Sequence, residues 1–165
     1  MNIVIFGCDN TGKTTLGESL ASKLDYTYVH SLGPAVSQDD MCNFMESFTE
    51  SGNVIFDRFP IIEEEVYGNL LRGKNRFGNI DTDKYCRKML DKIDLFIYCY
   101  PGLFTTLNWG ERDQMDGVKE RSLDIISHYN KLAVKLKTLG YNVKEYNFKC
   151  DEVDTLVSDL KEVHE

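Results

Sequence analysis

The sequence predicts an α/β domain: a three-layer sandwich of about five mostly parallel strands with helices on both faces. Short β-branched or aromatic runs alternate with longer segments whose apolar residues recur at helical spacing. The runs at 2–6 and 94–100 are apolar at nearly every position, as strands buried on both faces are. No linker, repeat or low-complexity tract divides the 165 residues, so a single domain over 1–165 is expected.

Residues 2–6 read as a buried strand closed by Gly7. From Thr14, Leu16, Leu20 and Leu24 recur every fourth residue with Ala21 beside them, which predicts a helix. Residues 26–30 read as a second, short strand, broken by Ser31-Leu32-Gly33-Pro34. Asp39 or Asp40 is the expected cap of a helix with Met41, Phe44, Met45 and Phe48 on one face and Gly52 at its end. A strand at 53–57 runs into Asp57. After Arg58-Phe59-Pro60 a helix carries Val66, Tyr67, Leu70 and Leu71, and the basic turn at 72–78 interrupts it. A helix at 82–92 follows, and then the strand at 94–100, stopped by Pro101-Gly102. Ile125, Ile126, Tyr129, Leu132, Ala133, Leu136 and Leu139 keep helical spacing over 118–139, with Gly140 as C-cap. Residues 141–148 read as the last strand, and Val153, Leu156, Val157 and Leu160 as a closing helix. In such a sheet ligands gather at the carboxyl ends of the strands, where Gly7 and Asp57 both lie.

The formal charge of −8 argues against a nucleic-acid partner, whose backbone is held through many Lys and Arg contacts. No apolar run approaches the roughly 20 residues of a membrane helix, and no basic segment precedes an apolar one near Met1. The expectation is a cytoplasmic protein with no membrane partner. Cys8, Cys42, Cys86, Cys99 and Cys150 are odd in number and without close pairing, so they read as reduced thiols.

Gly7 to Thr14 fits G-x-x-x-x-G-K-[ST] completely, between a strand and a helix, which is the context the motif needs. Its glycines let backbone N–H groups converge on an anion, and the helix N-terminus adds partial positive charge. Asn10, Thr11, Gly12, Lys13, Thr14 and Thr15 are therefore the expected ATP phosphate-binding residues, with Lys13 reaching the outer phosphates. Thr14 and Asp57, which ends the third apolar run, are the expected Mg²⁺ residues. A GTPase would carry Asn-Lys-x-Asp after a later strand. Asn130-Lys131-Leu132-Ala133 lies within a helical pattern and lacks the Asp.

The motif Asp57-Arg58-Phe59, with the loop Gly7-Cys8-Asp9-Asn10-Thr11-Gly12-Lys13-Thr14-Thr15, resembles the thymidylate kinase branch of the P-loop nucleoside and nucleotide kinases. The stretch from Asp57 through Glu65-Val66-Tyr67-Gly68 to Lys74 is similar to thymidylate kinase-like proteins of bacteriophages and prophages. The resemblance spans essentially the whole chain, with these two motifs as its specific part. It implies an acceptor-binding region at 31–80, a lid at 103–121, and Asp9 contacting the acceptor sugar. Two departures stand out: Phe6 occupies the place of a frequent family Glu, and Asn10 that of an Arg found in some members. Members lacking that Arg supply cations from the lid, which makes Arg112 the favoured lid residue and Arg121 a weaker substitute. The family also implies adenine recognition by main chain around 149–151 and is compatible with a homodimer.

These readings make the chain a phosphotransferase acting on small-molecule nucleotides, with ATP and Mg²⁺. Lys13, Arg58 and Arg112 are the expected catalytic residues. Arg58 positions the acceptor, because a guanidinium fork matches a phosphate. An acceptor phosphate is largely ionised at neutral pH, its second pKa being about 6, and needs no general base. A bare nucleoside would need one, and Asp57 is the candidate. Phe44 or Phe48 is expected to stack on the acceptor base and Tyr67 on its other side or near its sugar, with core packing as the competing reading for each. Arg72, in the turn with Lys74 and Arg76, either overhangs the acceptor or is solvated. A deoxynucleoside kinase and a non-catalytic ATP-binding protein are the alternatives.

Overall fold

A computed structural model describes residues 1–100 and 120–162. Five parallel strands, β1 (Asn2–Phe6), β2 (Thr27–His30), β3 (Val54–Asp57), β4 (Leu95–Cys99) and β5 (Val143–Tyr146), form one sheet in the order β2-β3-β1-β4-β5. The all-apolar runs are buried on both faces, because successive side chains of a strand point to opposite sides. Val4, Phe6, Phe56, Phe96 and Tyr98 enter one core, Ile3, Ile5, Ile55, Leu95 and Ile97 the other.

The second core is closed by α1 (Lys13–Leu24), through Leu16, Leu20 and Ala21, and by the last helix, α7 (Val153–Glu162), through Leu156, Val157 and Leu160. The first core takes the remaining helices. Met41 and Met45 come from α2 (Gln38–Ser51), Met89 and Leu90 from α5 (Lys84–Leu90), and Ile125, Tyr129, Leu132 and Leu136 from α6 (Ser122–Thr138). Between α2 and α5, a helical run begins as α3 (Pro60–Glu63), widens into a π-helical turn (Glu64–Gly68) and ends as α4 (Asn69–Leu71). Among the described residues no helix is long and apolar enough to cross a membrane.

Several local expectations shift. The cap of α2 is Ser37, whose hydroxyl accepts from the Asp40 amide at 3.1 Å, so the first-turn acids Asp39 and Asp40 complement the helix dipole without capping it. Gly140 follows α6 with φ 91°, and bonds from its own N–H to Lys137 and from Tyr141 N–H to Leu136 close the helix. Helix 82–92 is confined to Lys84–Leu90 by the Asp83 cap, which accepts from Cys86 N–H. Cys8, Cys86 and Cys99 are buried free thiols, Cys42 is half-buried and Cys150 exposed.

The aromatic pair on α2 is corrected. Phe44 and Phe48 stack edge-on against each other at 5.2 Å and against Phe56 at 5.9 and 6.4 Å. They are half-buried core residues and line no part of the cavity described below; of their helix, Met41 reaches it. Their spacing reports the face of α2 that meets the sheet, which a base-stacking ring would have to leave.

Candidate active site

The carboxyl ends of β1, β2 and β3 open into a cavity of about 770 Å³. Parallel pairing aligns these ends: Asp57 lies level with Ile5 of β1 and His30 of β2, and Arg58 N–H continues the ladder to Ile5 O at 3.0 Å. From β1 the wall takes Asp9 through Thr15, from β2 His30 and Ser31, and from the segment after β3 Arg58, Pro60, Glu63, Glu64, Tyr67 and Arg72. Every expected phosphate-loop residue and four of the expected acceptor residues, Asp9, Arg58, Tyr67 and Arg72, thus face one space.

The loop closes tightly on the sheet. Gly7 has φ 142°, and a Cβ there would lie 2.6 Å from the Cys99 carbonyl oxygen, so β4 leaves room for glycine alone. Gly12, at φ 77°, precedes α1 with no side-chain cap, which leaves the first-turn N–H groups directed at the cavity. Thr11 Oγ1 and Lys13 Nζ both donate to the Cys8 carbonyl, at 2.8 and 2.5 Å. Burial lowers the Lys13 pKa and the Arg58 charge lowers it further, against the opposing pull of Asp9 and Glu63. Cys8 is inert: burial pushes its thiol up to about 12.

Asp57 is fully buried and touches the cavity only through its neighbours. Its Oδ2 accepts from Thr14 Oγ1 and Tyr28 OH, both at 2.7 Å, with His30 Nε2 at 3.8 Å. Its Oδ1 has no hydrogen-bond partner among the described residues. Removing the Tyr28 hydroxyl takes one of two donors from this buried carboxylate, a loss of about 1.5–3 kcal/mol for a bond to a charged group. Tyr28→Phe is therefore expected to melt several degrees below wild type, and an unchanged thermal midpoint would show that Asp57 does not depend on that hydroxyl.

Arg58 adopts φ 72°, a left-handed conformation uncommon for a residue with a side chain. The turn aims its guanidinium into the cavity, where it bonds Asp9 Oδ1 through one nitrogen and Glu63 Oε2 at 3.0 Å through the other. Tyr129 OH donates to the remaining Glu63 oxygen at 3.0 Å. Burial works against the Arg58 charge, but the carboxylates outweigh it and hold its pKa well above the ordinary value. Tyr67 is 2% exposed, and its hydroxyl has no hydrogen-bond partner among the described residues. Arg72 donates to Glu64 Oε1 at 2.5 Å while its side chain stays 33% exposed at the cavity wall. Arg121 is not among the residues lining the cavity and bonds Leu70 O and Asp124. Arg112 and residues 103–119 of the expected lid at 103–121 lie outside the described residues.

Sequence reasoning missed Glu63, Glu64, Tyr28 and His30. Three consecutive acids at 63–65 carry no periodic signal of burial, yet Glu64 is 1% exposed. Its one available signal was the cluster of Arg72, Lys74 and Arg76 about two to three helical turns downstream.

No family model matches the chain, and no curated protein matches its sequence. Solved structures share its fold. YorR from Bacillus subtilis, solved in complex with phosphorylated GDP, has a TM-score of 0.76 at 16% identity, over 99% of this chain and 95% of that one. Deoxyadenosine kinase from M. mycoides with bound dCTP has 0.60 at 18%, over 98% and 100%. Thymidylate kinase from Candida albicans has 0.53 at 13%, over 98% and 89%. The chain has the fold of the P-loop nucleotide kinases, and at these identities the likeness is one of fold.

Proposed function

We propose that the chain transfers a phosphoryl group from ATP, with Mg²⁺, to a deoxynucleoside 5′-monophosphate, as a thymidylate kinase-like enzyme of the phage and prophage type. One observation carries this reading: Lys13, which opens α1 after β1, and Arg58, which directly follows the adjacent β3, face a single cavity of about 770 Å³. That arrangement offers two anion-holding points in one space, as a donor and a phosphorylated acceptor require.

The loop from Asn10 to Thr15 holds the donor's phosphates through its backbone N–H groups and Lys13, whose desolvated charge acts strongly on the group in transfer. Arg58 orients the acceptor phosphate, and Asp9 and Glu63 keep its guanidinium aimed into the cavity. Tyr67 and Arg72 bound the acceptor's space. The acceptor oxygen is already ionised near neutral pH, so no side chain has to remove a proton. Arg112 remains the proposed lid cation.

The residues present fit Mg²⁺. A buried carboxylate with an unpartnered oxygen beside the Thr14 hydroxyl is the oxygen donor set of a hard cation. Among the described residues no group of three His, Cys, Asp or Glu could hold a metal alone, which suits an ion completed by phosphates and water. When bound, it supplies positive charge to the donor's phosphates.

A second reading, a deoxynucleoside kinase, is favoured by the acids flanking Arg58. Asp9 and Glu63 could take the proton of a neutral 5′-hydroxyl, whereas Asp57 lies behind Thr14. ADP release with ATP, Mg²⁺ and a panel of nucleosides and 5′-monophosphates separates the readings. Turnover with monophosphates and none with nucleosides is expected. Turnover with nucleosides alone would move the assignment to the second reading, and ATP binding with no acceptor-dependent release would leave a nucleotide-binding protein.

A further inference from the structure

Glu64 opens the π-helical turn and is almost fully buried, which for a carboxylate demands compensating positive charge. Two arginines of the following loop supply it. Its Oε1 accepts from Arg72 at 2.5 Å and from Arg76 at 2.7 Å, and its Oε2 accepts from the Arg76 backbone N–H at 3.0 Å. The other end of the Arg76 guanidinium donates to Val36 O at 2.7 Å, tying in the segment before α2. Burial pushes the Glu64 pKa up, but the Arg76 bonds and the Arg72 charge outweigh it, leaving the carboxyl below its ordinary range.

Shape reinforces charge. The loop lies directly on the helix at Gly68, where Lys74 N–H bonds Gly68 O at 2.9 Å. A Cβ on Gly68 would stand 2.9 Å from Lys74 O and 3.0 Å from Glu64 Oε2. Asn75 Nδ2 adds a bond to Glu65 Oε2 at 3.1 Å. Of the two arginines only Arg72 reaches the cavity wall; Arg76 lies behind it as an anchor.

We propose that Glu64 is a positioning residue that clamps the 72–78 loop onto the π-helical turn, fixing Arg72 in the cavity wall and thereby setting acceptor affinity. This rests on the reading of that wall as the acceptor side. The clamp is expected to act on one substrate only: its bonds join Val36, Glu64, Arg72 and Arg76, whereas Thr11 and Lys13 of the glycine-rich loop bond to Cys8 O. π-Helical turns are frequent at functional sites, and here the turn begins at the residue that grips the loop.

Two measurements test this on the full chain, using Glu64→Gln, Arg76→Ala and Gly68→Ala. Gly68→Ala keeps every charge and disturbs only the docking of the loop, so it guards against misfolding of the buried-charge variants. Limited trypsin digestion reads the clamp directly, because Arg72 and Lys74 are cleavage sites within the loop. Wild type is expected to resist cleavage there, and each variant to be cut about tenfold faster at that segment, while its remaining fragments stay intact. In steady-state assays Arg76→Ala and Gly68→Ala are expected to raise the acceptor KM about tenfold, with ATP KM and kcat near wild type. Cleavage of wild type as fast as the variants would overturn the clamp. Faster cleavage with an unchanged acceptor KM would overturn its link to acceptor affinity. Failure of wild type to turn over any acceptor would instead sink the kinase reading, and protection that depends on Glu64 would still support the clamp.

Discussion

Replacing Arg58 with alanine is expected to remove acceptor-dependent turnover by about 10³-fold and to lower the melting temperature at the same time. The two effects have one origin. Arg58 bridges Asp9 and Glu63, whose side chains are 18% and 14% exposed, and Glu63 is also tied to Tyr129. Removing the cation strands two carboxylates in a poorly solvated pocket, which costs about 3–5 kcal/mol. For a chain of this size that corresponds to about 6–20 °C of melting temperature. Arg58→Lys should recover part of the stability and little of the activity, because one ammonium cannot bridge both acids as a planar fork does. Backbone strain adds a check on the geometry. At φ 72° a side chain costs about 1–2 kcal/mol relative to glycine, so Arg58→Gly should melt above Arg58→Ala although both lack the guanidinium. A variant Arg58→Ala as stable as wild type would show that this bridge does not hold the site together.

Lys13→Ala is expected to behave in the opposite way on stability while losing about 10²–10³-fold in turnover. The Lys13 side chain is buried at 5% exposure, and desolvation disfavours its charge, with Arg58 adding repulsion. Its bond to the Cys8 carbonyl and the attraction of Asp9 and Glu63 offset this only in part, since the pKa stays lowered. The alanine variant should therefore melt at or above the wild-type temperature, because a buried, incompletely compensated charge carries a cost in stability. The pH dependence has a definite sign. With a folded pKa below the unfolded value, the unfolded chain binds more protons between the two, so wild type gains stability relative to the variant as pH rises through that window. Parallel melting curves at several pH values, beside ADP-release rates, check both statements. A variant that loses stability and activity together would make Lys13 a structural residue.

The Gly7–Thr14 loop and the alternation of strands with helices were legible because both are local. A phosphate loop is one turn whose residue types are dictated by its own backbone, and strand or helix periodicity is a property of consecutive side chains. The same locality misled at α2. Phe44 and Phe48 carry a true helical stripe, but a stripe does not say whether its far edge meets a ligand or a sheet, and here Phe56 meets them. The cap of that helix went to Ser37 over its acidic neighbours because a cap needs extended backbone dihedrals, which the preceding loop gives to Ser37.

Thus the sequence alone determined an α/β domain with a glycine-rich loop at the end of its first strand and a charged motif at the end of its third. Tertiary structure decided which charges face that loop and which neutralise one another. Arg58 finds Asp9 from 49 positions away, and Glu63 finds Tyr129 from 66. Whether a carboxylate is solvated or buried depends on such distant partners, because the free energy of a charge is set by the groups and water around it in space. Periodicity along the chain carries no record of them.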